Sequence, residues 1–281
     1  MSNLEIVTDI ANEYQRVTEQ SLFTRPAVYL DEGDNKRVGT HKAIVNELGD
    51  PIAVVGINYN LVQNADIMPE FHKVILASNL DRTGMTKKIQ QSHHGAKTIV
   101  TYTFPAHEIE IADGDSVQLR IMVLNSYDGS WKFLSMVGAV RIACMNGQVV
   151  VDAFSNYNAK HTSSLDTDVA VAKLETALEV YTKNADVWKS YPKSPVTTAQ
   201  ATRIFKQVAG KSERLEALLE ETYLKYVDEM GHNLWAVFNT LTDWSSHAKF
   251  KNEANKVATI YNREAKVRKV IPLLNELRLA A

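Results

Sequence analysis

The chain has 281 residues, 45% of them hydrophobic, and its 31 Lys and Arg against 33 Asp and Glu give a formal net charge of −2. That is ample apolar material for the core of a soluble globular protein, in one large domain or two small ones. The single cysteine, Cys144, excludes an intrachain disulfide framework and a Cys-rich zinc site, no apolar run approaches the ~18 residues of a membrane span, and the polar, acidic start does not read as a signal peptide.

The near-neutral total hides an asymmetry. Residues 1–160 carry 14 Lys and Arg against 18 Asp and Glu, residues 161–246 carry 9 against 12, and residues 247–281 carry 8 against 3. A basic terminal segment on a mildly acidic body suits a polyanionic partner, because such binding depends on local charge. A solvated charged helix would look the same.

In chain order, residues 3–20 predict an amphipathic helix, with Leu4, Val7, Ile10, Ala11 and Tyr14 at the 3.6-residue period. Strand-like segments follow to about residue 154: RVGTHKAIV, PIAVVGINYN, KTIVTYTF, SVQLRIMVLN, the stretch from Trp131 to about Ala143, and GQVVVDAF. Turn signals LGDP, ADGD, YDGS and MNG separate them, and DIMPEFHKVILASNL fits a short helix. From Ser163 the period becomes helical through SSLDTDVAVAKLETALEVY; YPKSPVTTAQ breaks it, with Thr197 or Thr198 as the next cap. Helices are predicted over SERLEALLEETYLKYV, HNLWAVFNTLTDWSS and HAKFKNEANKVATIYNREAKVRKV. The expected fold is therefore α+β, with an antiparallel β-rich region over 1–160 and a helical region over 161–281 packed on it as one unit.

Chemistry-bearing motifs are scarce. The chain contains no Gly-x-Gly-x-x-Gly, Walker-type loop, nucleophile elbow or His-Glu-x-x-His. His93 and His94 are adjacent and would point to opposite faces of a strand, with no cluster nearby to complete a metal site. His107-Glu108 sits in HEIEI, which alternates as a half-buried strand does, and Cys144 lies in an apolar setting that does not favour a thiolate. The expectation is a protein that is not an enzyme and needs no metal or cofactor.

Two segments fit a polyanion instead. In MTKKIQQSHHGAKTIVTYTF, Lys87, Lys88, His93, His94 and Lys97 are read on a turn before a strand that carries Tyr102 and Phe104; Trp131 and Lys132 flank the Asp-Gly turn of YDGSWK. Cations that track phosphates beside aromatic faces that stack bases are the means by which unpaired strands are held; Tyr102 and Phe104 facing the core is the competing reading. Farther on, Lys249, Lys256 and Arg263 recur every seven residues on one helical line, flanked by Lys266, beside an apolar stripe of Phe250, Ala254, Val257 and Tyr261. Trp235 and Trp244 are assigned to helix packing.

The stretch NSYDGSWKFLSMVGAVRIACMNGQVV resembles a family of phage and plasmid proteins known only as a domain of unknown function. Asn125, Ser126, Asp128, Gly129, Ser130, Arg141, Cys144 and Asn146 fit the family's pattern, and Tyr127 stands where His is usual. KHTSSLDTDVAVAKLETAL and NLWAVFNTLTDWSSH are similar to two further family segments, so the resemblance spans roughly residues 70–250. It implies a phage origin. In size and make-up the chain is also similar to a single-stranded-DNA-binding cofactor of a phage-encoded RNA polymerase. That similarity implies a partner in unpaired promoter DNA, a second in the polymerase, a fold other than an OB barrel, and residence in the cytoplasm of an infected bacterial host, with no membrane attachment. An annealing protein for recombination and a protein-binding module that blocks a host factor are the alternatives.

Overall fold

The computed structural model describes residues 14, 16–24, 36–131, 133–143, 147–149, 157–159 and 167–280. The predicted first helix lies outside these up to residue 13, and its last positions are instead extended: β1 (Thr18–Thr24) pairs antiparallel with β2 (Lys36–Val45), starting at Thr18 opposite Val45. Pairing with a distant strand outranks the local helical period there. β3 (Pro51–Gly56) completes a three-stranded sheet, and α1 (Asn64–Ala77) forms over the predicted short helix.

The larger sheet takes β4 (Thr86–Ser92), β5 (Lys97–Ala112), β6 (Asp115–Ser126), β7 (Phe133–Arg141) and β8 (Gly147–Val149) in sequence order; β9 (Tyr157–Ala159) pairs with the start of β7. All its pairings are antiparallel, and among the described residues neither sheet closes into a barrel. β4 corrects the sequence reading, which placed Lys87 and Lys88 on a turn. TKKIQQS has one large apolar residue, so no alternation marks it, yet it suits an edge strand, where lysines discourage further pairing. Pro105 falls where the β5–β6 register shifts between Phe104 and Glu108, an interruption that tolerates a missing N–H.

Period-two alternation divides the two faces of this sheet. Val100, Tyr102 and Phe104 of β5 and Leu119, Ile121 and Val123 of β6 are buried on one face, where Phe71 of α1 meets Phe133 edge-on at 6.3 Å. Ile99, Thr101 and Thr103 point the other way, with Arg120 and Met122 across from them.

The helical part comprises α2 (Thr167–Ser190), α3 (Thr198–Ala209), α4 (Glu213–Met230), α5 (Leu234–His247) and α6 (Lys256–Ala280). Thr197 is the cap of α3, in a capping box: its hydroxyl accepts the Gln200 N–H at 3.3 Å and its N–H donates to the Gln200 side chain at 2.9 Å. The last predicted helix began at His247, whereas residues 248–252 are not helical. The Asn252 side chain accepts the Ala254 N–H at 2.9 Å, a local bond that competes with a continuing helix, and a 3-10 turn over Glu253–Asn255 leads into α6.

Trp235 and Trp244 lie in the core, at 1% and 7% exposure. Trp235 also joins the two parts of the chain, because its indole N–H donates to Asp115 Oδ2 at 2.7 Å while Arg141 Nε donates to Asp115 Oδ1 at 2.6 Å. No helix among the described residues is long and apolar enough to cross a membrane.

Candidate functional site

The outer face of the large sheet is covered by the first turns of α6, and between them lies a cleft of about 380 Å³. Its sheet wall includes Lys88, Thr101 and Met122, and its helix wall includes Lys256, Tyr261 and Glu264. The two basic segments of the sequence, far apart along the chain, meet at its rim: the His93 N–H donates to Asn255 Oδ1 across 162 positions at 3.1 Å.

The Tyr127–Trp131 turn brings an aromatic ring to the same place. Tyr127 is 2% exposed, and its hydroxyl accepts the Asn64 N–H at the start of α1 at 3.0 Å, so this residue is structural. Asp128 Oδ1 accepts the Ser130 N–H at 2.9 Å, Gly129 takes a φ of 70°, and the Ser126 hydroxyl accepts the Trp131 N–H at 2.9 Å. Glycine takes that φ without the steric cost a β-carbon brings. The closed turn sets Trp131 half-buried on the outer face, with Lys97 Nζ 5.3 Å from its ring centre and Tyr261 edge-on at 4.9 Å. Lys97 Nζ also lies 3.5 Å from Asp128 Oδ2. Burial alone would raise the Asp128 carboxyl, but hydrogen bonds from Ser130 and the charge of Lys97 hold it below its ordinary range.

The structure sorts the other candidates. Strand alternation sends Lys88 into the cleft and Lys87 to the opposite face, where its Nζ lies 5.6 Å from the Tyr14 ring centre. Tyr102 is withdrawn from any surface: it is 1% exposed, stacks on His72 at 5.6 Å and has its hydroxyl 3.2 Å from His72 Nδ1. Up to the register shift after Phe104, the even positions of β5 face the core, which is why the core reading of Tyr102 and Phe104 holds. His93 and His94 form the β4–β5 hairpin turn, each with a φ of 55°, a left-handed conformation uncommon outside glycine. Burial, and next the charge of Lys97, lower the His93 imidazole below its ordinary pKa.

Along the terminal segment, the seven-residue line is broken. Lys249 is exposed but precedes α6, separated from it by the non-helical stretch. Lys256 opens α6, its Nζ 5.1 Å from the Phe250 ring centre. Arg263 is not a solvent-facing cation: its guanidinium donates to the carbonyls of Trp244, Ala248 and Lys249 at 3.3, 2.7 and 3.1 Å, closing the C-terminus of α5, and burial lowers its pKa. Lys266 is exposed, two residues beyond Glu264 and so on the far side of α6 from the cleft. Lys132 and Cys144 lie outside the described residues.

The sequence reading missed the pair at the base of the cleft. Arg120 Nη2 donates to Glu264 Oε1 at 3.0 Å, with the two side chains 11% and 1% exposed. Glu264 follows Val257 and Tyr261 on a helix face otherwise committed to packing. A carboxylate in that stripe is the signal that would have pointed to it, since a buried charge requires a partner.

No curated protein and no solved structure matches the chain. The family model of a domain of unknown function, DUF932, matches residues 51–270, from β3 through the cleft-lining half of α6, and the chain belongs to that family.

Proposed function

We propose that the protein binds single-stranded DNA on the outer face of the large sheet and does so as a transcription cofactor, holding unwound promoter DNA and recruiting a phage-encoded RNA polymerase in the infected bacterial cytoplasm. The observation that carries the DNA reading is that Lys88, Lys256 and Tyr261 line one cleft while Trp131 meets Tyr261 beside it, with Lys97 against the Trp131 ring and His93 bonded to Asn255 next to Lys256. Cations and aromatics in that combination suit phosphates alternating with unpaired bases. Lys249, exposed just before α6, adds a cation for the rest of a strand, whereas Lys266 faces away from the cleft and is left out of the surface. The polymerase role rests on the similarity in size and make-up to Drc, a single-stranded-DNA-binding polymerase cofactor.

The test is fluorescence anisotropy with labelled oligo-dT and a matching duplex at about 50 and 200 mM salt, since displaced counterions make phosphate binding salt-sensitive. Tight, salt-sensitive binding that prefers the single strand is the expected result. Absence of binding to either DNA at low salt overturns the reading. A protein-binding module is then favoured, supported by Leu48, Val54 and Ile57, apolar and 87%, 57% and 41% exposed on and beside β3 of the small sheet.

A further inference from the structure

We infer that the cleft under α6 receives one nucleotide unit, its base directed inward to Glu264 and its phosphate outward to Lys88 and Lys256, with preference for bases that carry an exocyclic amine. The volume of about 380 Å³ falls in the range of small-molecule sites. At its base the Arg120–Glu264 pair leaves two atoms unanswered: among the described residues, Glu264 Oε2 and Arg120 Nε are buried without a hydrogen-bond partner. Such orphaned polar groups are rare because they are costly, and they mark places where a ligand's polar edge can complete the pairing.

The chemistry of the free atom selects the ligand. An ionised carboxylate only accepts, so the partner must offer an N–H or O–H. The amines of cytosine, adenine and guanine do so directly. Thymine offers its N3–H between two carbonyl oxygens, which would be pressed against the carboxylate. Met122 and Tyr261 give the cleft an apolar wall and an aromatic ring suited to a flat heterocycle, and Lys88 and Lys256 supply charge for a phosphate. Where the nucleotide is part of a strand, the inference rests on the single-strand reading above; a free nucleotide would occupy the cleft without it.

The experiment titrates wild-type protein and Glu264→Gln with dCMP, dAMP and dTMP by calorimetry, and with oligo-dC and oligo-dT by anisotropy. A carboxylamide both donates and accepts, so Glu264→Gln should erase a base preference that the carboxylate creates. The expected result is wild-type binding of dCMP and dAMP about tenfold tighter than dTMP, the same order for oligo-dC over oligo-dT, and loss of the preference in the variant. Preference among the mononucleotides without binding of either oligonucleotide supports a free-nucleotide site and sinks the single-strand reading. Preference among the oligonucleotides alone supports a nucleotide held within a strand. Equal affinity of the wild type for amino and non-amino bases in both series overturns the inference, even where oligo-dT binding survives, and this readout requires no variant to fold.

Discussion

Trp131 meets Tyr261 edge-on, with ring centres 4.9 Å apart and planes inclined by 61°, so the turn after β6 and the last helix share one aromatic joint at the rim of the cleft. Trp188, Trp235 and Trp244 are 2%, 1% and 7% exposed, which leaves Trp131, among the four tryptophans, as the one that bound DNA can approach. Single-stranded DNA is therefore expected to quench the intrinsic fluorescence of the wild type and to leave that of Trp131→Phe almost unchanged. Trp131→Ala should weaken oligo-dT binding by roughly tenfold, the effect of losing one stacking partner worth about 1–3 kcal/mol. Undiminished quenching in Trp131→Phe would place the strand elsewhere.

Lys87 and Lys88 are neighbours in sequence that face opposite sides of β4. Lys88→Ala should reduce the slope of log affinity against log salt by about one phosphate contact, roughly 0.7 for a single strand, and weaken binding at low salt. Lys87→Ala should leave both unchanged, since its ammonium lies over Tyr14 on the other face. Equal effects of the two substitutions in matched anisotropy series would contradict the assignment of faces.

These two lysines also show how far the sequence could be read. The strands of the β5–β6 hairpin and the amphipathic helices announce themselves by period, because each buries one face of a recurring pattern. β4 does not, since a polar edge strand is defined by the neighbour it pairs with. The same limit applies to charge. Arg263 and Lys266 are equivalent as letters, but Arg263 reaches back to the carbonyls ending α5 while Lys266 stays in solvent. Tyr102 depended on which parity of β5 faces inward, and the Arg120–Glu264 pair joins residues 144 positions apart, a distance no local pattern spans.

Asp115 holds Arg141 and Trp235 together, with the Asp115 and Arg141 side chains only 10% and 8% exposed. Asp115→Ala would take the carboxylate from the buried Arg141 guanidinium and leave the indole N–H unpaired, so it should cost about 3–5 kcal/mol in chemical denaturation. Trp235→Phe removes the indole N–H and the larger ring but keeps the ion pair, and should cost less. A loss below about 1 kcal/mol for Asp115→Ala would mean that the two parts of the chain are joined chiefly by apolar packing.

The His93 imidazole has its pKa lowered in the folded protein, first by burial and then by Lys97. The unfolded chain, with His93 near its ordinary value of about 6.5, therefore binds the proton first as pH falls. The His93 contribution to stability is complete above about pH 6.5, declines as pH drops below it, and levels off once the folded pKa is passed. A phosphate at the hairpin turn would favour the charged ring, so DNA binding should take up a proton and tighten as pH falls towards the lowered His93 pKa of the free protein. His93→Asn, a residue that tolerates the left-handed backbone, should flatten both profiles. Thermal melts and anisotropy from pH 7.5 to 5.5 measure the two effects, and an affinity unaffected by pH in the wild type would remove His93 from the interface.

Gly129 separates the role of the turn from that of the ring it carries. At a φ of 70° a β-carbon is strained whatever the surroundings, and here it would also meet Tyr59 Cε2 at 3.4 Å. Tyr59 is not free to yield, since its hydroxyl donates to the Ser126 carbonyl at 2.9 Å. Gly129→Val should therefore destabilise the fold by about 1–3 kcal/mol and lower Tm by several degrees. Because Ser126, Asp128 and Ser130 still close the turn around Trp131, the folded fraction should bind oligo-dT within a few-fold of the wild type at a temperature well below its Tm. A lower Tm with nearly intact binding assigns the Asp-Gly pair to the scaffold. An unchanged Tm would mean that the turn adopts another backbone in solution.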